Sequence, residues 1–124
     1  MPRSLVAVPL LAVLISTAYA EDRAQSQREM ERHAMSASEI SLHDLMEPIW
    51  RAPRAEAPGR ACANTVAIQA RVDAAVGAKG SGAFLPMSKT ANELTRACKE
   101  KRTQDVPRLL DDLHQQFHKM IGVE

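Results

Sequence analysis

The stretch TQDVPRLLDDLHQQFHKMI, residues 103–121, places apolar side chains at Val106, Leu109, Leu110, Leu113, Phe117, Met120 and Ile121. Steps of three and four residues put these on one face of an α-helix. A capping residue within Thr103-Gln-Asp105 and a proline at position 107 mark its start, because a first-turn proline lacks only an N–H that has no helical partner anyway. No strand-like alternation of useful length and no internal repeat occurs elsewhere in the chain. The fold class expected is therefore all-α, a small bundle of three or four helices.

Working outward, Leu94, Ala97, Cys98 and Ala91 line one face of a preceding helix, and Thr90-Ala-Asn-Glu93 has the form of a capping box that opens it. Phe84-Leu85-Pro86-Met87 reads as an apolar link, and Lys79-Gly80-Ser81-Gly82 as the glycine-rich end of an earlier helix. That earlier helix is expected from about Arg60 to Ala78, burying Ala61, Thr65, Ile68, Val72, Ala75 and Val76. Arg51 to Gly59, with two prolines, reads as a connection. Ser36-Ala-Ser-Glu39 is a second capping box, opening a first helix at about Ile40 with Leu42, Leu45, Met46 and Ile49 as its stripe. Pro48 is expected to kink or shorten this helix.

Residues 1–20 read as a signal peptide, with Arg3 as the positive start, Leu5 to Ile15 as the apolar run and Ala18-Tyr19-Ala20 as the cleavage site. The apolar run is about half of the roughly 20 residues that span a bilayer. Cleavage after Ala20 and export to a periplasm are therefore expected, with no membrane span in the mature chain. Residues 21–37 are polar and suit an N-terminal arm or frayed helix, leaving 38–124 as the helical domain. Without Arg3 the basic side chains number 15, equal to the 15 acidic ones. There is no basic block, so the footprint of a nucleic-acid binder is absent.

The only cysteines are Cys62 and Cys98. At 36 positions apart they lack the C-x-x-C spacing of a redox pair. In an oxidising compartment they are expected to form a structural disulfide.

Four histidines occur, and two of them, His114 and His118, stand four apart in the last helix. With about 100° per residue, His114 lies roughly 80° and His118 roughly 120° from the centre of the apolar stripe. Imidazoles at this spacing are neighbours on a helix surface, and imidazole suits zinc, copper and nickel. In the first helix His43 lies one turn before Met46 and roughly 60° round from it. Side-by-side packing of the first and last helices would bring His43, Met46, His114 and His118 to one seam. A thioether with imidazoles favours copper, or haem with Met and His as axial ligands. The plain alternative makes Met46 core filler, Trp50 a hydrophobic anchor and His43 a surface residue.

No catalytic constellation is present. Asp111 and Asp112 diverge as helical neighbours, and Gly80-Ser81-Gly82 lacks the G-K-[ST] of a phosphate loop. There is no G-x-S-x-G, H-E-x-x-H or C-x-x-C-H, so a non-enzymatic protein is expected.

The tail QDVPRLLDDLHQQFHKM, with its aromatic-His dipeptide Phe117-His118, resembles the last helix of the periplasmic four-helix-bundle cytochromes. In the b-type members a methionine of the first helix and a histidine of the last hold a haem without covalent attachment. The resemblance implies Met46 and His118 as the ligands of a haem b. Cys98 is followed by Lys99-Glu100-Lys101, so the covalent attachment of the c-type relatives is excluded. The stretch LTRACKEK, residues 94–101, is similar to the second-cysteine region of small, helical, disulfide-bonded periplasmic acid-stress chaperones. That resemblance implies binding to a protein partner.

Two functions are thus expected. One is a transition-metal (copper-like) or haem-binding helical protein of the periplasm, using His114, His118, Met46 and His43. The other is a disulfide-stapled interaction protein of the chaperone or inhibitor/immunity type, without cofactor. A homodimer is an alternative way to complete a four-helix arrangement.

Overall fold

The structure is a computed structural model that describes residues 35–123. The expected signal peptide, 1–20, and residues 21–34 of the polar arm lie outside the described residues. Five α-helices and no strands make up the described part: α1 Ala37–Trp50, α2 Ala57–Cys62, α3 Thr65–Lys79, α4 Leu85–Lys99 and α5 Val106–Ile121. The all-α bundle is as expected. Its helices α1, α3, α4 and α5 close a ring in which α1 packs on α3, α3 on α4, α4 on α5, and α5 returns to α1, while α2 touches α1, α4 and α5.

The start of α1 follows from a capping box. The Ser36 hydroxyl accepts from the Glu39 N–H at 3.2 Å, and the Glu39 carboxylate accepts from the Ser36 N–H at 2.8 Å. The helix therefore begins at Ala37, directly after the cap, rather than at Ile40. Glu39 is itself buried, and Lys79 at the end of α3 reaches its Oε2 at 3.1 Å. Burial alone would raise the pKa of Glu39. The Ser36 N–H, the Lys79 ammonium and the Ser36 hydroxyl outweigh it and hold the carboxyl below 4.5. Pro48 does not shorten α1, which runs on to Trp50. It denies the Asp44 carbonyl one helical N–H, and α1 continues for only two residues beyond it.

Two elements differ from the sequence expectation. The helix expected from Arg60 starts earlier, at Ala57 with Pro58 in its first turn, and is broken at Ala63-Asn64, where the Asn64 side-chain amide donates to the Arg60 carbonyl at 2.7 Å. The presumed link at 84–87 is helical from Leu85, with Pro86 in its first turn. Thr90 is consequently inside α4, where its hydroxyl donates to the Pro86 carbonyl at 3.0 Å instead of capping. At the start of α5 neither Thr103 nor Asp105 caps the helix through its side chain; Asp105 is ion-paired with Arg102 at 2.7 Å. Gly80 and Gly122 end α3 and α5 with φ of 68° and 78°, a left-handed conformation that glycine enters without the clash a Cβ brings.

The core is one cluster. Phe117, Leu42, Met46, Ile68, Leu94 and Leu113 are among its fully buried side chains, with Ala61, Ala75, Ala91 and Ala97 allowing close helix approach. Cys62 and Cys98 form the expected disulfide, joining α2 to α4 with their Cα atoms 5.4 Å apart. Closing a loop of this length stabilises the fold by about 4 kcal/mol in the chain-entropy model. The double variant Cys62→Ser/Cys98→Ser is expected to lose about that much in urea-induced unfolding; a loss below about 1 kcal/mol would show that the reduced chain is held by packing alone.

Candidate functional site

The seam between α1 and α5 carries a run of five rings. The α1 stripe aims Met46 and Ile49 inward, which leaves His43 and Trp50 on its flank towards α5. On α5, Phe117 is fully buried, and His114 and His118 lie one turn apart beside it. The His43 ring stacks on Phe117 at 5.9 Å, and Phe117 lies 5.8 Å from Trp50. Trp50 stacks on His114 at 4.3 Å with 17° between planes, and His114 is 4.4 Å from His118. Trp50 cannot turn freely, because its indole N–H donates to the Leu110 carbonyl at 3.1 Å.

The four side chains singled out from sequence are therefore treated differently by the fold. His114 and His118 are brought together, both partly exposed. Neither ring nitrogen is taken up by a hydrogen bond or an ion pair among the described residues. His43 lies on the same seam, but its Nε2 is 3.3 Å from Glu47 Oε2 and its Nδ1 is 3.5 Å from Asp44 Oδ1. Met46 is only 1% exposed and belongs to the core cluster with Leu42, Leu113 and Phe117. No group of three or more His, Cys, Asp or Glu side chains suited to a metal ion is present among the described residues. The protein thus offers an imidazole pair, with any further ligand to come from solvent or from movement of His43.

Burial lowers the pKa of His114, and the nearby His118 and His43 rings add to the effect, against an opposing pull from Asp111. The imidazole is thereby kept neutral, the form that binds a metal. Beside it, Trp50 and His114 form part of the wall of a cavity of about 170 Å³ at the α1–α2 end of the seam. No protein-family model matches this sequence, and no curated protein or solved structure is significantly similar to it. The seam's chemistry is accordingly read from its own geometry.

Two residues of this region were not singled out from the sequence. Arg54, in the α1–α2 connection, and Asp111, one turn before His114, both line the cavity. By sequence Asp111 stands out only as one of an adjacent acidic pair, and Arg54 carries no local signal at all. Elsewhere, no helix among the described residues is long and apolar enough to cross a membrane.

The His114 shift has a definite sign in stability. Above pH 6.5 the ring is neutral in folded and unfolded chains alike; below it the unfolded chain binds the proton first, so stability falls as the pH drops from 6.5 towards the folded value. Thermal unfolding of a His114→Gln variant is expected to show a flatter decline of Tm below pH 6.5 than the parent. An unchanged slope would remove His114 from the acid sensitivity of the fold.

Proposed function

We propose that this chain is an exported, non-enzymatic helical-bundle protein that binds a transition-metal ion of the copper class through His114 and His118. The observation that carries the reading is the imidazole pair itself. Two rings stand 4.4 Å apart with uncommitted nitrogens, and one of them is biased towards the neutral, ligating form. Trp50 stacked on His114 and hydrogen-bonded to Leu110 restricts the first ring, which reduces the ordering cost of chelation. His43, on the same seam, supplies a third imidazole only once its Glu47 contact opens.

The geometry favours a metal ion over haem b. A haem held between Met46 and His118 needs a slot beside the Met46 thioether, and that side chain is closed inside a well-packed core. In an absorbance spectrum and elemental analysis of protein purified from the periplasm without an affinity tag, copper, zinc or nickel near one equivalent and no Soret band are expected. Calorimetric titration of the stripped protein with copper(II) is expected to give one site that His114→Ala/His118→Ala abolishes. Stoichiometric binding retained by that double variant would refute the assignment.

A second reading, an interaction protein without cofactor, is favoured by one observation. Val66 is 83% exposed on α3, in an open groove of about 500 Å³ shared with Ala70 and the α4 residues Asn92 and Thr95. The other residues of the groove are mostly polar, so Val66 offers one apolar contact point on a polar surface rather than an extended apolar patch. Under this reading an environment-sensitive apolar dye is bound more strongly at acidic than at neutral pH, and Val66→Glu lowers the signal. Equal dye binding at both pH values by the parent and the variant would count against it.

A further inference from the structure

The cavity of about 170 Å³ between the end of α1, the α1–α2 connection and the first half of α5 has a composition that the metal reading does not use. Its apolar wall includes Ile49, Trp50 and Leu110, and its polar groups are Arg54, Asp111 and His114. A cavity of about 150 Å³ accommodates a benzene-sized molecule. This one therefore has room for a branched aliphatic side chain of four or so carbons.

The two charges are what narrow the class of ligand. Arg54 and Asp111 line the same cavity, yet no nitrogen of the one comes within the 4.0 Å ion-pair distance of an oxygen of the other. Neither makes an ion pair or a side-chain hydrogen bond with any described residue. A cation and an anion that share a wall and do not neutralise each other present two opposite poles. A simple anion drawn to Arg54 meets repulsion from Asp111, and a simple cation meets it from Arg54. A molecule carrying both charges on adjacent atoms satisfies both. The guanidinium fork suits a carboxylate, and the Asp111 carboxylate accepts from an ammonium. The His114 ring, stacked on Trp50, belongs to the same wall.

We infer that this cavity binds a small zwitterion, a free α-amino acid with an aliphatic side chain, its carboxylate on Arg54, its ammonium on Asp111 and its side chain against Trp50, Ile49 and Leu110. The site shares His114 with the imidazole pair but does not depend on a bound metal. His118 does not line the cavity. Amino-acid binding and metal binding are thus separable by substitution.

Trp50 is the only tryptophan of the chain and lines this cavity, so its emission reports on it once metal is excluded from the neighbouring imidazole pair. The full chain is titrated with L-leucine and with L-valine in the presence of EDTA, with fluorescence read under selective tryptophan excitation. A saturable change is expected with both. N-acetyl-L-leucine, which lacks the ammonium, and isoamylamine, which lacks the carboxylate, are each expected to bind about tenfold more weakly or worse. Arg54→Ala and Asp111→Ala should weaken L-leucine by a similar factor. Both residues are exposed, so their circular dichroism and unfolding midpoints should match the parent. His118→Ala should leave the titration unchanged, whatever it does to copper binding. No saturable response to either amino acid would overturn the proposal. So would binding of both analogues as tight as that of L-leucine, which would make the cavity a simple apolar depression, or unaltered binding by both charge variants.

Discussion

The α1–α5 seam depends on how Phe117 is buried. It is the largest fully buried side chain of a core otherwise built from medium aliphatics, methionines and alanines. Burying one such ring contributes about 1.5–3 kcal/mol, a sizeable share of the stability of so small a domain. Its neighbours across the seam are the rings of His43 and Trp50, both from α1. Trp50 is in turn fixed to α5 by its hydrogen bond to the Leu110 carbonyl. The first and last helices are thus locked in register by one ring inserted between two others and one directional bond. The Glu39–Lys79 ion pair secures another side of the same ring of helices, and the disulfide ties α2 to α4.

This register sets the chemistry of the seam. Because Trp50 lies flat on His114, that imidazole loses water on one face and is biased towards its neutral form. His118, one turn further on, is placed beside it by helix geometry alone. On the other side of the indole the chain turns through Arg54 into α2, which leaves an open space against the start of α5. A single stacked pair, Trp50 on His114, therefore stands between an imidazole pair and a cavity with two uncompensated charges. The two proposed binding activities are adjacent, and only His114 belongs to both.

How far the site could be read from sequence differs from residue to residue. The α5 stripe was legible: Val106, Leu109, Leu110, Leu113, Phe117 and Met120 are all buried, and Ile121 at its end is partly buried. The wheel placed His114 at the margin of that stripe, and its partial burial fits. What it could not show is that the margin is covered by an indole 64 residues earlier. The capping box at Ser36 was read correctly, whereas the identical pattern at Thr90 was not a cap. The difference is Pro86, which starts α4 a turn earlier and makes Thr90 an interior residue. The start of α2 is hidden for the same reason, since Pro58 marks a connection by composition and yet occupies the first turn of a short helix. Met46 was legible as apolar, but whether its sulfur met the core or a seam depended on its neighbours.

The sequence by itself determined the helical class, the apolar faces, the disulfide partners and the spacing of the histidine pair, because these follow from periodicity within one helix or from there being only two cysteines. Only the tertiary structure decided that Trp50 stacks on His114, that Glu39 meets Lys79 and that Arg54 and Asp111 share a cavity. Each of these pairs joins different segments of the chain, at separations of 40 to 64 positions. No local pattern records such a meeting; it is fixed when the helices dock and their few large side chains find the one arrangement that fills the core.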